Sequence, residues 1–207
     1  MNSALRPDDA PIRGPWLSAA ALLAIATAGA LTGPWWFPLP AADGSIRAAV
    51  LQRTFFTAWS TMLVLLPAVV TFWRRRQATR AAAVWRVYWT MGYVAYAIHL
   101  VWAVGLFFRF DLTRMLHSPE FVTVPRLGMV VTVWWGIDVL LAWRSPAEPR
   151  WLQAQRIVIH VLIVGLFIAG SLLEGSFAVS RAFGALLVAG VVAGIVARLR
   201  HRRVATG

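Results

Sequence analysis

The sequence predicts an all-α integral membrane protein, a bundle of six transmembrane helices that forms one domain over residues 1–207. Hydrophobic residues make up 59% of the chain and charged residues 14%, whereas ordinary soluble domains have roughly 45–50% and about 25%. Six apolar stretches are long enough to cross about 30 Å of hydrocarbon, which takes roughly 20 helical residues. The segments between them are too short to fold into a soluble nucleotide- or flavin-binding domain.

The six predicted helices follow one another along the whole chain with short polar connections. They cover residues 16–39, 54–73, 84–108, 127–143, 157–173 and 182–199. The first stretch has the composition of a secretory signal, but Met1 is present, so we predict a retained first helix. The fourth and fifth are the shortest, yet they are continuous and flanked by arginines, which favours full spans.

Arginine placement predicts the orientation of the bundle. All 20 basic residues are arginines, and the net charge is +12. With the N-terminus inside, 14 arginines fall in inner segments and six in outer ones, so the positive-inside rule places both termini in the cytoplasm. We therefore expect a bacterial plasma membrane protein whose basic loops contact anionic lipid, and no nucleic-acid partner.

Several kinds of chemistry are excluded by the residues present. The chain has no cysteine, so disulfides, Cys-ligated metals and thiol nucleophiles are impossible. It contains no Gly-rich phosphate loop with a Walker lysine and no Ser-His-Asp pattern. Gly190 and Gly194 form a GxxxG step, which predicts close helix packing either inside the bundle or with a second subunit.

Three ionisable residues fall inside predicted spans: His99, Asp138 and His160. Such a residue is costly in hydrocarbon unless it is paired, liganded or hydrated, so each is a candidate functional residue. His160 lies one helical turn after Arg156, and both therefore share a helix face. His117 and His201 lie outside the spans, which argues against a role as buried ligands.

Two histidines on non-adjacent helices are the arrangement that holds a haem iron from both sides, so His99 and His160 are candidate axial ligands. Depth within the membrane tests this pairing. Measured from the predicted outer helix ends, the two residues differ in depth by roughly 6 Å, but measured from Arg86 and Arg156 they differ by roughly 13 Å. The answer depends on whether the fifth helix extends back to Pro149, a suitable first-turn residue.

Asp138 lies near the cytoplasmic end of the fourth span, at a depth similar to that of Arg156 and His160. A cluster of these three residues is one possibility. In it, the Asp138 carboxylate binds the second ring nitrogen of His160 and so orients an imidazole whose other nitrogen binds the metal. Proton transfer is another. A structural hydrogen bond to a Trp indole or to Arg156 is the third.

Part of the chain resembles the ferric-reductase-like transmembrane family. The resemblance rests on residues 85–99, which end in Ala-Tyr-Ala-Ile-His, on 118–124, Ser-Pro-Glu-Phe-Val-Thr-Val, and on 159–164, Ile-His-Val-Leu-Ile-Val. It implies a six-helix bundle that holds b-type haem between His99 and His160 as axial ligands. Family members usually carry further histidines along these helices and an arginine where this chain has Val161, so at most one haem is implied here.

The resulting expectation is a membrane electron-transfer protein that relays electrons from a quinone or flavoprotein partner to an outer acceptor through haem b. In this scheme Asp138 tunes the haem. The protein is an oxidoreductase subunit only if haem is bound. One alternative is a cofactor-free accessory subunit. The other is a small transporter or proton-relay protein that uses Asp138 and His160.

Overall fold

A computed structural model describes residues 13–37, 46–117, 124–145, 148–173 and 177–206. The described part is helical throughout and contains no strand. Its helices are α1 (Arg13–Trp36), α2 (Ile46–Phe72), α3 (Thr79–Leu100), α4 (Leu112–His117), α5 (Val124–Arg144), α6 (Arg150–Leu172) and α7 (Ala178–Thr206). A π-helical segment, Val101–Phe107, continues α3 without a break.

Within the described residues, six helices are long and apolar enough to cross a membrane, as the sequence predicts. Their boundaries extend beyond the apolar stretches at most ends. The second helix begins at Ile46 rather than residue 54, the fifth span begins at Arg150 rather than 157, and α7 continues to Thr206 rather than 199. Polar residues continue a helix once it has begun, and an apolar criterion does not detect these extensions.

The connection after α3 is more ordered than the polar loop that the sequence predicts. The short helix α4 lies within it. Arg109 and Phe110 precede α4 with φ angles of 55° and 57°, in the left-handed region that non-glycine residues rarely adopt. These two residues turn the chain sharply after the π-helical segment.

The six long helices alternate in direction, so that arginines from several of them gather at one end of the bundle. Trp16 at the start of α1 stacks on Trp143 at the end of α5, with ring centroids 5.5 Å apart. Arg198 near the end of α7 lies over Trp73, just after α2, at 5.9 Å. We call this end, where α1, α3 and α6 begin, the arginine-rich end. Its arginines are Arg13, Arg74, Arg75, Arg76, Arg80, Arg86, Arg144, Arg150, Arg156, Arg198 and Arg200.

Helix α2 occupies the centre of the bundle and packs against α1, α3 and α7. Val64, Leu65, Ala68 and Val69 on α2 are completely buried. The outward faces of α5, α6 and α7 carry exposed large apolar side chains, which is the pattern of a surface that contacts lipid.

The GxxxG step of α7 is used inside the bundle. A Cβ atom on Gly190 would lie 2.8 Å from Leu66, and one on Gly194 would lie 2.7 Å from the carbonyl oxygen of Val70. Both glycines therefore let α7 approach the backbone of α2 closely. Of the two alternatives that the sequence offers for this step, these contacts show packing inside the bundle, because α2 occupies the glycine face.

Candidate functional site: a buried charge cluster

Charged residues from four parts of the chain meet inside the bundle, near the arginine-rich end. We call these five residues the buried charge cluster: Arg75, Asp138, Glu148, Arg156 and His160. Arg75 follows α2, Asp138 lies on α5, Glu148 precedes α6, and Arg156 and His160 lie on α6. Apart from Glu148, each is less than 9% exposed.

Asp138 accepts a hydrogen bond from a neutral indole and forms an ion pair with an arginine. Trp89 Nε1 on α3 donates a hydrogen bond to Oδ2 of Asp138 at 2.9 Å. Arg156 Nε lies 3.5 Å from the other carboxylate oxygen, Oδ1. The two charged side chains are 1% and 2% exposed, so water screens this ion pair very little. Asp138 thereby joins α5 to both α3 and α6.

Glu148 bridges two arginines. Arg156 Nη1 donates to Oε1 of Glu148, and Arg75 Nη2 donates to Oε2 at 3.4 Å. Glu148 is the more accessible member, with 15% of its side chain exposed. Burial lowers the pKa of Arg75 below its ordinary value, and the charge of Glu148 acts in the opposite direction. The bridge links the segment after α2 to the segment before α6.

Aromatic rings form the walls around both guanidinium groups. Arg75 lies 5.4 Å and Arg156 5.2 Å from the centroid of the Trp85 ring. Arg75 also lies 4.0 Å from the centroid of Phe72 and donates to the carbonyl oxygen of that residue at 2.9 Å. Cation–π attraction adds to the ion pairs in a desolvated site. The rings therefore offset part of the cost of burying two cations.

His160 lies against the same aromatic walls. Its ring is parallel to that of Phe72, with centroids 3.7 Å apart and an interplanar angle of 6°. The Trp89 ring, whose N–H binds Asp138, lies 4.8 Å away. Within the described residues, neither Nδ1 nor Nε2 of His160 has a hydrogen-bond partner. The hydrogen bond from the imidazole to the Asp138 carboxylate, one of the three alternatives that the sequence offers, is therefore not formed.

Other unpartnered polar atoms surround the same region. Among the residues that the structure describes, Nη2 of Arg156 and the indole Nε1 atoms of Trp85 and Trp135 are buried without a hydrogen-bond partner. Trp135 lies 4.9 Å from Trp89 between ring centroids. Buried polar atoms are usually paired, and a concentration of exceptions is typical of a site that binds a ligand, an ion or protons. The cluster is the strongest functional candidate in the described chain.

The structure places His99 away from this cluster. Its Nδ1 lies 3.1 Å from the carbonyl oxygen of Thr54 and 3.3 Å from the hydroxyl of Thr57, both near the start of α2. Its ring lies 5.8 Å from Tyr96. Along α3, ten residues separate Trp89, which touches His160, from His99, a rise of roughly 15 Å.

This separation decides whether His99 and His160 fit one haem. Two imidazole nitrogens that share a metal lie about 4 Å apart, because each metal–nitrogen bond is about 2 Å. Helix α6 does begin directly after Pro149, at Arg150, but α3 also begins earlier, at Thr79, so the offset in depth persists. The two residues do not fit a bis-histidine haem in this arrangement.

The sequence predicts that Asp138, Arg156 and His160 lie at a similar depth, and the structure places them together. It does not indicate that Arg75, Glu148 and Trp89 join them. Glu148 had a detectable signal, because it is an acidic residue among arginines and one of only eight Asp and Glu residues in the chain. The sequence predicts a Trp indole as one of the alternative partners of Asp138, and the structure shows that Trp89 is this donor. The sequence does not distinguish Trp89 from the other tryptophans, since that choice depends on how α3 is rotated against α5. His117 binds the carbonyl oxygen of Thr113 on its own helix, at 2.8 Å, and takes no part in the cluster.

The fold and the cluster define a class, a multi-pass helical membrane protein with buried ion pairs. No protein-family model, curated protein or solved structure matches the chain. The resemblance to the ferric-reductase-like family stays a prediction from the sequence.

Proposed function

We propose that this chain is a proton-relay protein of the bacterial plasma membrane, with both termini in the cytoplasm, and that the buried charge cluster takes up and releases the proton. The observation that carries the proposal is the buried imidazole of His160, which has two unpartnered nitrogens beside the Trp89–Asp138–Arg156 contacts. Ionisable groups at membrane depth are typical of proton pathways. The orientation rests on the distribution of arginines.

The proton-accepting groups are Asp138 and His160, which both contact Trp89. Glu148 is the exposed edge of the cluster and gives access from the aqueous side. A proton on His160 places a cation against the faces of Phe72 and Trp89, which attract positive charge, while the guanidinium of Arg75 on Phe72 repels it. A proton on Asp138 removes its ion pair with Arg156, and that arginine keeps Glu148 as its partner.

Polar groups continue from the cluster toward the opposite end of the bundle. The unpartnered indole of Trp135 lies 5.5 Å from the Tyr96 ring, and Thr132 donates a hydrogen bond to the Tyr96 hydroxyl at 3.2 Å. His99 follows one turn further along α3, in contact with Thr57. In the proposed relay His99 is a second station rather than a partner of His160.

The charge balance of the cluster favours a second candidate, a cofactor-free accessory subunit. Arg75 and Arg156 are matched by Asp138 and Glu148, so the four charges cancel. Charge-balanced buried ions of this kind also serve to specify how helices pack, without moving any charge. In that case the cluster holds four chain segments together and nothing passes through it.

Proton flux into liposomes separates these candidates. Purified protein is reconstituted with a pH-sensitive dye inside the vesicles, and a valinomycin-set potassium potential drives proton entry. We expect wild-type flux above that of empty vesicles, with Asp138→Asn and His160→Gln reduced to the empty-vesicle level. His117→Gln is the matched control, because His117 lies outside the cluster and should retain wild-type flux.

Unchanged flux in both cluster variants would reject the relay, as would wild-type flux equal to that of empty vesicles. Reconstituted protein must remain monodisperse and helical for the comparison. If Asp138→Asn fails that requirement, His160→Gln decides alone, because the imidazole makes no hydrogen bond that the substitution would break.

Electron transfer through haem b, from a quinone or flavoprotein, remains the expectation that the family resemblance implies. The positions of His99 and His160 do not favour it, since roughly 15 Å of α3 separates the residues around them. No step of the proposed relay requires the cofactor.

A further inference from the structure

We propose that Arg75 and Arg156 form a binding site for a small free carboxylate, and that the Glu148 side chain occupies this site as a tethered competitor. The inference concerns the same cluster as the proton relay but goes beyond it, because it assigns a ligand class to the two arginines. Its test measures ligand binding rather than proton flux, so either proposal can fail alone.

Two guanidinium groups converge on the one carboxylate of Glu148. Each arginine donates to a different oxygen of Glu148, through Nη1 of Arg156 and Nη2 of Arg75. Planar guanidinium groups recognise the two oxygens of a carboxylate with high geometric specificity. The pair therefore already presents the donors that a free carboxylate needs.

Both arginines are built into the core and keep unused donors. Arg75 is 8% exposed and Arg156 is 2% exposed, and each stacks beside Trp85. Within the described residues, Nε of Arg75 and Nη2 of Arg156 are buried without hydrogen-bond partners. A ligand that replaces Glu148 thus finds fixed, partly unsatisfied donors rather than mobile surface side chains.

Glu148 lies before the first turn of α6 and is the most exposed member of the cluster, so its side chain can leave toward water without unpacking the core. When it leaves, Asp138 is the one counter-charge that Arg75 and Arg156 retain among the described residues. The net charge of +1 then favours an incoming anion.

Burial limits the ligand to a small free anion. A lipid phosphate offers similar oxygens, but the side chain of Arg75 is only 6% exposed and its ring contacts cover it. Acetate reproduces the end of the Glu148 side chain, and it is the probe of choice.

Acetate binding is measured on the full chain in phosphatidylcholine nanodiscs, by calorimetric titration against sodium chloride of matched ionic strength. Removing the competitor in Glu148→Ala should tighten acetate binding about tenfold or more. The apparent affinity of a ligand falls in proportion to the fraction of protein whose site is free, and in the wild type Glu148 occupies the site most of the time. Adding Arg75→Gln to this variant should abolish binding. Asp111→Asn and Arg80→Gln, which change exposed charges elsewhere, should match the wild type.

Equal acetate affinity in wild type and Glu148→Ala would overturn the proposal, as would binding that survives Arg75→Gln. If Glu148→Ala does not fold, Glu148→Gln removes the charge while keeping a hydrogen-bonding side chain, and the same tightening is expected. The titration is repeated in nanodiscs that contain phosphatidylglycerol. An acetate affinity about tenfold lower there would overturn the free-carboxylate assignment and identify a lipid phosphate as the occupant.

Discussion

Breaking the Asp138–Arg156 ion pair should destabilise the bundle in an asymmetric way. Arg156→Met leaves the buried carboxylate of Asp138 without its charged partner, with the Trp89 indole still donating to it, and removes a partner of Glu148. Removing one partner of a buried pair costs about 3–5 kcal/mol, because the other charge stays buried and uncompensated.

The reverse substitution should cost less. In Asp138→Asn, the carboxamide oxygen still accepts from Trp89, and Arg156 keeps Glu148 as a counter-charge. The loss then resembles that of one charged hydrogen bond, about 1.5–3 kcal/mol. The double variant Asp138→Asn/Arg156→Met again balances the remaining charges, so it should be more stable than the sum of the single losses by about 0.5–3 kcal/mol.

Reversible unfolding in mixed micelles gives the four free energies of this double-mutant cycle. Arg150→Met is the control, because Arg150 is exposed at the start of α6 and its loss should change stability by no more than about 0.5 kcal/mol. Strictly additive losses would refute the reasoning, since they would mean that Asp138 and Arg156 do not sense each other.

Two further predictions test the packing and the positions of the histidines. Gly194→Ala should destabilise the bundle by about 1–3 kcal/mol, because the added Cβ meets the backbone of Val70. Gly165→Ala is the control in the same unfolding assay. No atom lies within 4 Å of its added Cβ, so it should be neutral or stabilising. An absorption spectrum of the purified protein, before and after dithionite, should lack the Soret and α-bands of a bis-histidine haem. The reason is that His99 lies roughly 15 Å further along α3 than Trp89, the α3 residue that contacts His160. Such bands, lost in His99→Ala and in His160→Ala, would show that the two imidazoles meet.

Part of the candidate site follows from spacing alone. Arg156 and His160 are one turn apart on a helix, so their shared face is a property of the sequence. The depth of Asp138 also follows from its position in an apolar stretch. Their neighbours do not follow, because Glu148 reaches the site from a connection and Arg75 from another connection more than 70 residues earlier.

The sequence alone left the depth of His99 relative to His160 open for a specific physical reason. Depth measured from the ends of apolar stretches depends on which end is chosen, and polar residues extend both α3 and α6 beyond those ends. The contacts remove the ambiguity. His99 lies beside Thr54 and Thr57, near the start of α2, while His160 lies beside Phe72 at its end.

The sequence by itself determined the six long helices and the gathering of arginines at one end. The length of an apolar stretch and the alternation of spans are enough for both. Only the tertiary structure decided which polar side chains meet and that Gly190 and Gly194 serve the packing of α7 on α2. The physical reason is that a helix apolar around most of its circumference carries little information about which face turns inward. That choice is made by close packing and by the pairing of a few buried charges.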